Sequence, residues 1–430
     1  MKVYKVSKMI EKEKVFFKTF GCRTNVFDTQ VMMNNLKDFE VTQKEMDADV
    51  VVINSCTVTN SADSTARNYI NSLQKLPKKP RVIFTGCGVW TKGENLFESK
   101  KIDALFGHSE KENINTLLQD KTRFFKAGDL EHLDDTIIDK MIGKSRAFIK
   151  IQEGCDFRCS YCIIPFVRGN SRSYEEHKIL QQITTLAING FGEFILTGIN
   201  VGSYGKEHGV VGKKDKLAQL IKKISLIRGV RRIRLGSVEP VQITDEFKEI
   251  LDEPWMGKHM HIALQHTNKE MLKIMHRRNK VKSDLELFEL LASKGYALGT
   301  DFIVGHPGET DALWKDAMNN IAKFPLTHIH SFTYSPRDGT PSAKMSPQIN
   351  GAVSKVRQRE LESVIKQKNI DFRKQNQPLE ILIESNKDDI YTGYDQFFNS
   401  IEVQSQSDLV GDWINIENYE ILENKNVSKF

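Results

Sequence analysis

Three cysteines crowd the stretch Gly154-Cys155-Asp156-Phe157-Arg158-Cys159-Ser160-Tyr161-Cys162, spaced Cys-x3-Cys-x2-Cys. Three thiolates this close, with no fourth cysteine or histidine beside them, suit a four-iron cluster with one iron left open to a small molecule. Structural zinc and iron–sulfur sites close all their positions, so an incomplete ligand set points to chemistry rather than scaffolding.

The other cysteines are Cys22, Cys56 and Cys87. Each follows an apolar or β-branched run: Val15–Phe20, Asp49–Asn54 and Arg81–Thr85. Ile102–Phe106 reads as a fourth strand, ending at Gly107-His108. Helical patterns separate the runs, as with Val26, Phe27, Val31, Met32 and Leu36. Near-continuous apolar strands alternating with helices predict a buried parallel sheet, with all carboxyl ends on one edge. Gaps of 34 and 31 residues between the cysteines match one strand–helix unit each. The three are therefore expected to converge where open α/β sheets bind ligands. Buried structural thiols, a Cys3His zinc site completed by His108 and a second iron–sulfur cluster are the competing readings.

The elements that must carry these sites divide the 430 residues into an N-terminal α/β domain (1–125), a charge-rich linker (126–144), a central domain (145–372) and a small β-rich tail (377–430). In the central domain strands are expected at Ala147–Ile151, Glu193–Thr197, Arg232–Leu235, His259–Leu264, Thr300–Val304 and His328–Phe332. Helices are expected at Tyr174–Ile188, Lys216–Ile227, Ile243–Leu251, Leu285–Lys294 and Asp311–Ala322. Six strand–helix units, where eight would close a full barrel, imply a partial barrel with its active face at the strands' carboxyl ends. The loops there carry the cysteine loop and Arg168, then Asn200, Ser237 and Glu239, Gln265 and His266, Gly305–Glu309, and Tyr334, Ser335 and Arg337.

The net charge of +6 conceals an asymmetry: residues 379–430 hold three lysines, no arginine and eleven acids, a balance of −8, which leaves +14 on the rest. A basic body suits an anionic partner such as RNA or simple solubility. No run approaches the roughly 18 apolar residues of a membrane span. The start, Met1–Val6, lacks the apolar stretch of a signal peptide, so a cytoplasmic, membrane-free home is expected.

The cysteine loop, with an aromatic residue before its last cysteine, resembles the signature of radical S-adenosylmethionine enzymes. Glu153-Gly154-Cys155, Ile163-Ile164-Pro165-Phe166 and Arg168-Gly169 narrow the resemblance to the radical methylthiotransferases. The flanks of Cys22, Cys56 and Cys87 match that family's auxiliary-cluster cysteines. Cys56–Asn60, Arg232–Pro240 and Tyr334–Pro341 are most similar to the MtaB-like branch, which acts on N6-threonylcarbamoyladenosine in tRNA. The likeness runs from about residue 14 to 372, with one departure: Leu264-Gln265-His266-Thr267-Asn268 stands where the family has Leu-Gln-Ser-Gly-Ser.

The resemblance implies an α/β protein with a parallel-sheet domain, a partial (β/α)6 radical-SAM barrel and a TRAM-like β-barrel tail. It implies two [4Fe-4S] clusters, one on Cys155, Cys159 and Cys162 binding S-adenosylmethionine, the other on Cys22, Cys56 and Cys87 carrying sulfur. The product would be a methylthio group at C2 of adenosine 37. Ser237, Glu239, Gln265 and Gly305 become candidate cofactor contacts, and Arg168 and Arg172 candidate substrate contacts. Arg231, Arg232 and Arg234, and the run His276-Arg277-Arg278 with Lys280, read as RNA contacts or as solvated charge. The acidic tail is expected to bind little phosphate, with Tyr391, Tyr394 and Phe397 packing in its core or stacking on bases. Implied partners are tRNA, a flavodoxin- or ferredoxin-like electron donor and a sulfur source, with the enzyme a monomer. An isopentenyladenosine substrate, a ribosomal-protein aspartate, or a non-catalytic iron–sulfur RNA-binding redox sensor are the alternatives.

Overall fold

In the computed structural model, residues 12–206 and 215–429 are described; Met1–Val6 lies outside them. The chain divides into two compact units, Met1–Thr136 and Ile137–Phe430. No helix among the described residues is long and apolar enough to cross a membrane.

The first unit is a six-stranded, all-parallel sheet. Its strands are β1 (Lys14–Thr19), β2 (Glu40–Val41), β3 (Val50–Ser55), β4 (Arg81–Gly86), β5 (Ala104–Phe106) and β6 (Phe124–Lys126). They are ordered β2-β1-β3-β4-β5-β6. β3 is buried along its whole length, as a parallel strand covered on both faces must be. Val50 and Val52 pack on one face with Val15, Met32 and Ile83. Val51 and Ile53 pack on the other with Ile70, Val82 and Leu105. The chain reverses direction across the sheet between β1 and β3, the switch point where such sheets hold ligands.

The segment expected as a linker is tied down at both ends. Glu112 accepts from the backbone of Asp135 and Thr136 at 2.9 and 2.7 Å, and Lys111 bridges Asp28 and Asp134. Ile138 then exchanges backbone bonds with Gln182. A polar composition reads as free chain in sequence; here Asp134 is buried against Lys111 while Asp129, Glu131 and Asp135 stay exposed.

The second unit opens with β7 (Ala147–Glu153), β8 (Arg172–Ser173), β9 (Glu193–Gly198), β10 (Arg232–Leu235), β11 (His259–His261), β12 (Ala297–Val304) and β13 (His328–Thr333). β7, β9 and β10 are parallel, with β8 antiparallel at the edge of β7. β11, β12 and β13 are parallel. Single bridges such as Val238 to Ile262 link the two sheets, giving the six expected strands in the expected order. β11 stops three residues early. Leu264 N–H bonds to Ile262 O and Thr300 Oγ1 instead of a ladder partner, and Gln265 takes a left-handed φ of 63°. Helices at Lys269–Ile274 and Gly351–Arg373 were absent from the expected set.

The tail forms β14 (Leu379–Lys387), β15 (Ile390–Tyr394), β16 (Ser400–Gln404), β17 (Trp413–Ile416), β18 (Glu420–Ile421) and β19 (Asn426–Lys429). It is a curled six-stranded sheet, antiparallel except between β16 and β19, with β17 and β18 at its two ends rather than zipped together. Tyr391 and Phe397 lie in its core, and Tyr394 stacks on Phe398 at 4.9 Å, so these aromatics are packing residues.

Of the arginines read as RNA contacts or solvated charge, Arg231 is exposed, with an ion pair to Glu380 at 3.1 Å, whereas Arg232 and Arg234 are internal. Arg232 and Arg234 are 2 and 3% exposed and clasp Glu193 at 3.0 and 2.7 Å. Arg232 also reaches Glu380, Arg234 donates to the Asp395 carbonyl at 2.6 Å, and Arg146 pairs with Glu384. Burial alone would raise Glu193, yet Arg234, Arg232 and Arg146 hold its carboxyl below the usual range. Part of the tail's acidity is therefore counter-charge for arginines of the barrel. The sequence hides this because Arg232 and Glu380 are 148 positions apart.

Candidate active site

The cysteine loop leaves β7 through Gly154, whose φ is +68°. A Cβ there would stand 1.8 Å from the Asn170 carbonyl, so only glycine lets the loop fold back on residues 169–170. Cys155 N–H bonds to Gly169 O at 3.1 Å, and Cys162 N–H to Cys159 O at 3.1 Å. Asp156 accepts from Ser171 N–H at 3.0 Å. The three cysteines are partly accessible.

Donors from the loop itself and from other strand ends aim at the sulfurs. Phe157 N–H lies 3.4 Å and Asn200 Nδ2 3.7 Å from Cys155 Sγ. Arg277 Nη1 lies 3.8 Å from Cys159 Sγ. Such contacts suit sulfur carrying negative charge. Burial pushes the Cys155 thiol up and that of Cys162 up to about 12, so without a metal these groups keep their protons. A bound metal displaces them. The donor set, its three-ligand count and its N–H contacts fit a four-iron cluster with one open iron.

A second layer braces the loop. Ser160 N–H bonds to Met275 O and its carbonyl accepts from Ser342 N–H. His306 Nε2 lies 2.8 Å from Ser342 Oγ, itself 2.8 Å from Ser160 Oγ. Burial lowers His306 to about 4, keeping it neutral. Sequence reading placed His306 in the Gly305–Glu309 loop as a packing or solvent residue; the partner serine, 36 positions on, carries no motif.

Among the other expected contacts, Ser237 is exposed and Glu239 half-buried beyond β10. Glu239 is gripped by Arg277, which also bonds to Ala263 O. Arg277 is thus an internal clamp rather than a surface cation, while Arg278 sits over the Phe157 ring at 4.1 Å. Gln265 is half-buried, its backbone fixed between Asp301 O and Ile303 N. Gly305 N–H is taken by Glu309 at 3.0 Å, and a Cβ on Gly305 would meet Ser354 Oγ at 2.0 Å. Glu309 also accepts from Arg357 at 2.6 Å and neighbours His266 at 3.3 Å. The missing family glycine costs nothing here. Thr267 is absent from the left-handed positions, and its hydroxyl donates to Ala317 O at 2.9 Å.

The two candidate substrate arginines are placed differently from expectation. Arg168 is 1% exposed and pairs with Glu153 at 3.0 Å, as Lys150 does at 3.1 Å. Arg172 donates to the carbonyls of Asn170 and Arg168. Both stiffen the loop.

In the first unit Cys22, Cys56 and Cys87 follow β1, β3 and β4, which are adjacent in the sheet, with Thr19, Asn54 and Thr85 in register. Gly21 has φ +97°, and a Cβ on it would lie 2.5 Å from Cys56 Cβ; the turn before Cys22 therefore packs directly on Cys56. Cys87 N–H bonds to Ser55 O at 3.0 Å. Amides lock the three turns: Asn25 Nδ2 donates to Phe20 O and Ser55 O at 2.8 and 3.0 Å, and Asn54 Nδ2 to Asn25 O at 2.8 Å. Cys22 is exposed, Cys56 intermediate and Cys87 buried. Three convergent thiols with one accessible side fit a second cluster. His108 turns instead to Asp28, its Nδ1 3.9 Å from Oδ2.

Comparison with known proteins agrees with this geometry. Residues 14–107 match the Uncharacterized protein family UPF0004, and residues 149–321 the Radical SAM superfamily. A Helicobacter pylori (strain J99) protein named "Putative methylthiotransferase" is 52% identical over 97% of this chain and 100% of its own length. The Rickettsia prowazekii threonylcarbamoyladenosine tRNA methylthiotransferase MtaB is 33% identical over 86% of this chain and 87% of its own. A tRNA-2-methylthio-N(6)-dimethylallyladenosine synthase of Halalkalibacterium halodurans is 30% identical over 94% of this chain and 79% of its own. The fold resembles that of the radical S-adenosylmethionine methyltransferase TsrM from Kitasatospora setae, with a TM-score of 0.59, 16% identity and 77% of each chain covered. The chain belongs to the MtaB-like radical S-adenosylmethionine methylthiotransferase family, enzymes whose cofactors are S-adenosylmethionine and [4Fe-4S] clusters.

Proposed function

We propose that this enzyme places a methylthio group on C2 of N6-threonylcarbamoyladenosine at position 37 of tRNA. The observation that carries the reading is the pair of cysteine triads, each at the carboxyl edge of a parallel sheet, together with the MtaB-like runs Cys56–Asn60, Arg232–Pro240 and Tyr334–Pro341. When bound, the clusters and S-adenosylmethionine supply one-electron cleavage of a sulfonium and a transferable sulfur.

The chain's own residues hold and orient. Cys155, Cys159 and Cys162 hold one cluster with an iron open to S-adenosylmethionine, and Cys22, Cys56 and Cys87 hold the other. Arg277 fixes Glu239 near Cys159, so the carboxylate would be held ready to meet the cofactor's amino group rather than free to wander. Ser237 and Gln265 present polar groups at neighbouring strand ends. Gly305 shapes its turn by close backbone packing. Arg168 keeps the β7 loop rigid by neutralising Glu153, and Arg172, half-exposed, is the one of the two arginines left accessible to a substrate. A flavodoxin- or ferredoxin-like protein delivers the electron and a separate source restores the sulfur.

The dimethylallyladenosine relative at similar identity supports a second reading, with that nucleoside as substrate. Anaerobically reconstituted enzyme incubated with tRNAs carrying either nucleoside, followed by mass spectrometry of the digest, separates them. Methylthiolation of the threonylcarbamoyl nucleoside alone is expected; methylthiolation of the dimethylallyl nucleoside alone overturns the assignment.

A further inference from the structure

The face of β11, β12 and β13 opposite the helix Asp311–Lys323 carries groups that the proposed chemistry does not use. Phe302 meets Trp314 of that helix, so strand alternation puts Asp301 on the other side. There it joins His261 and His330, brought level by the registers His261–Gly299 and Asp301–His330. Gly299 makes room: a Cβ on it would lie 2.7 Å from His261 Nδ1 and 3.2 Å from His259 Nε2.

We infer that His261, Asp301 and His330 form a further metal site, for a first-row divalent cation. One ligand atom from each lies within 4.8 Å of the others. His261 Nε2 is 3.1 Å and His330 Nδ1 3.4 Å from the same oxygen, Asp301 Oδ1. Ligand atoms about 2.1 Å from one ion stand about 3.0 Å apart on an octahedral edge and about 3.4 Å apart in a tetrahedron. The two histidine-to-carboxylate separations match those of a coordination set.

An ordinary ion-paired triad explains the group less well. His261 is 6% exposed, and its Nε2 has no aligned hydrogen-bond partner despite its closeness to Asp301. A buried ring nitrogen pointing past its neighbour suggests an atom between them. His330, with its side chain 64% exposed, leaves one side open to water or an oxygen ligand. Two imidazoles and one carboxylate with open positions suit ferrous iron, manganese or zinc.

The site is independent of the methylthiotransfer reading and is tested without turnover. Holoenzyme with its clusters oxidised is titrated with Mn2+, and free Mn2+ is followed by electron paramagnetic resonance. One Mn2+ per chain is expected, displaced by Zn2+. His330→Ala, at an exposed position, and Asp301→Asn, which keeps the shape, should each weaken binding at least tenfold with iron content and cluster absorbance unchanged. Equal Mn2+ binding by wild type and both variants, or no binding by wild type, overturns the inference.

Discussion

Cys155, Cys159 and Cys162 hang from one loop after one strand, whereas Cys22, Cys56 and Cys87 come from three strands that are neighbours only in the folded sheet. The first triad is close by covalent connection, and the fold's task is to orient it. That work falls to Arg277, Asn200 and the Ser160–Ser342–His306 chain, drawn from distant strand ends. The second triad is close only because β1, β3 and β4 pair in register, and neutral amides of Asn25 and Asn54 seal its turns. One site is tuned by charge and the other by sheet geometry. Damage should therefore differ in kind: loss of a brace changes the electronics of the first site and the assembly of the second.

The largest expected effect is on the register-built site. Asn25→Ala leaves the Phe20 carbonyl without its side-chain donor and the Ser55 carbonyl with the Cys87 N–H alone, a cost of about 1–3 kcal/mol. Iron per chain should fall by about one cluster while the Cys155 site keeps its S-adenosylmethionine cleavage. Full iron content and an unchanged melting curve would show that the amides do not hold the triad.

Arg277→Gln probes the charge-built site. Removing a cation close to Cys159 makes electron uptake harder, by on the order of 1–3 kcal/mol for a partly buried unit charge. Redox titration should show a more negative potential at that cluster and none at the other. Identical potentials in variant and wild type would break the contrast.

His306 supplies a pH arm. Its folded pKa, about 4, lies below the ordinary 6.5. Stability from its neutral form is complete above 6.5 and is lost as pH falls toward 4, by about 3 kcal/mol at most. His306→Gln should flatten denaturant midpoints between pH 6.5 and 4 relative to wild type. A parallel pair of curves would remove His306 from the brace.

The smallest effect is expected at Thr267→Gly. Since Thr267 needs no left-handed backbone and its hydroxyl is bonded, restoring the family glycine should cost about 1 kcal/mol through chain entropy. Denaturant melts showing stabilisation would mean that the departure is a strained one.

These contrasts also mark what the sequence could show. Strand cores and cysteine spacing were readable because apolar runs and local spacing are local signals. The convergence of Cys22, Cys56 and Cys87 was readable because each follows a run of the same kind. Arg232, Arg234 and Arg277 were not, because Arg232 meets Glu193 and Glu380 39 and 148 positions away, Arg234 meets Glu193 41 away and Arg277 meets Glu239 38 away, and a cation's burial is decided by the fold alone. Nor was the early end of β11, where Thr300 Oγ1 takes a backbone N–H that the ladder would otherwise use.

The division of labour between the triads is tested most directly by assaying Cys159→Ala and Cys56→Ala side by side, for 5′-deoxyadenosine and for methylthiolated tRNA. Cys159→Ala should yield neither product, and Cys56→Ala should still release 5′-deoxyadenosine while leaving the tRNA unmodified. Loss of 5′-deoxyadenosine in both variants would contradict separate roles for the two sites.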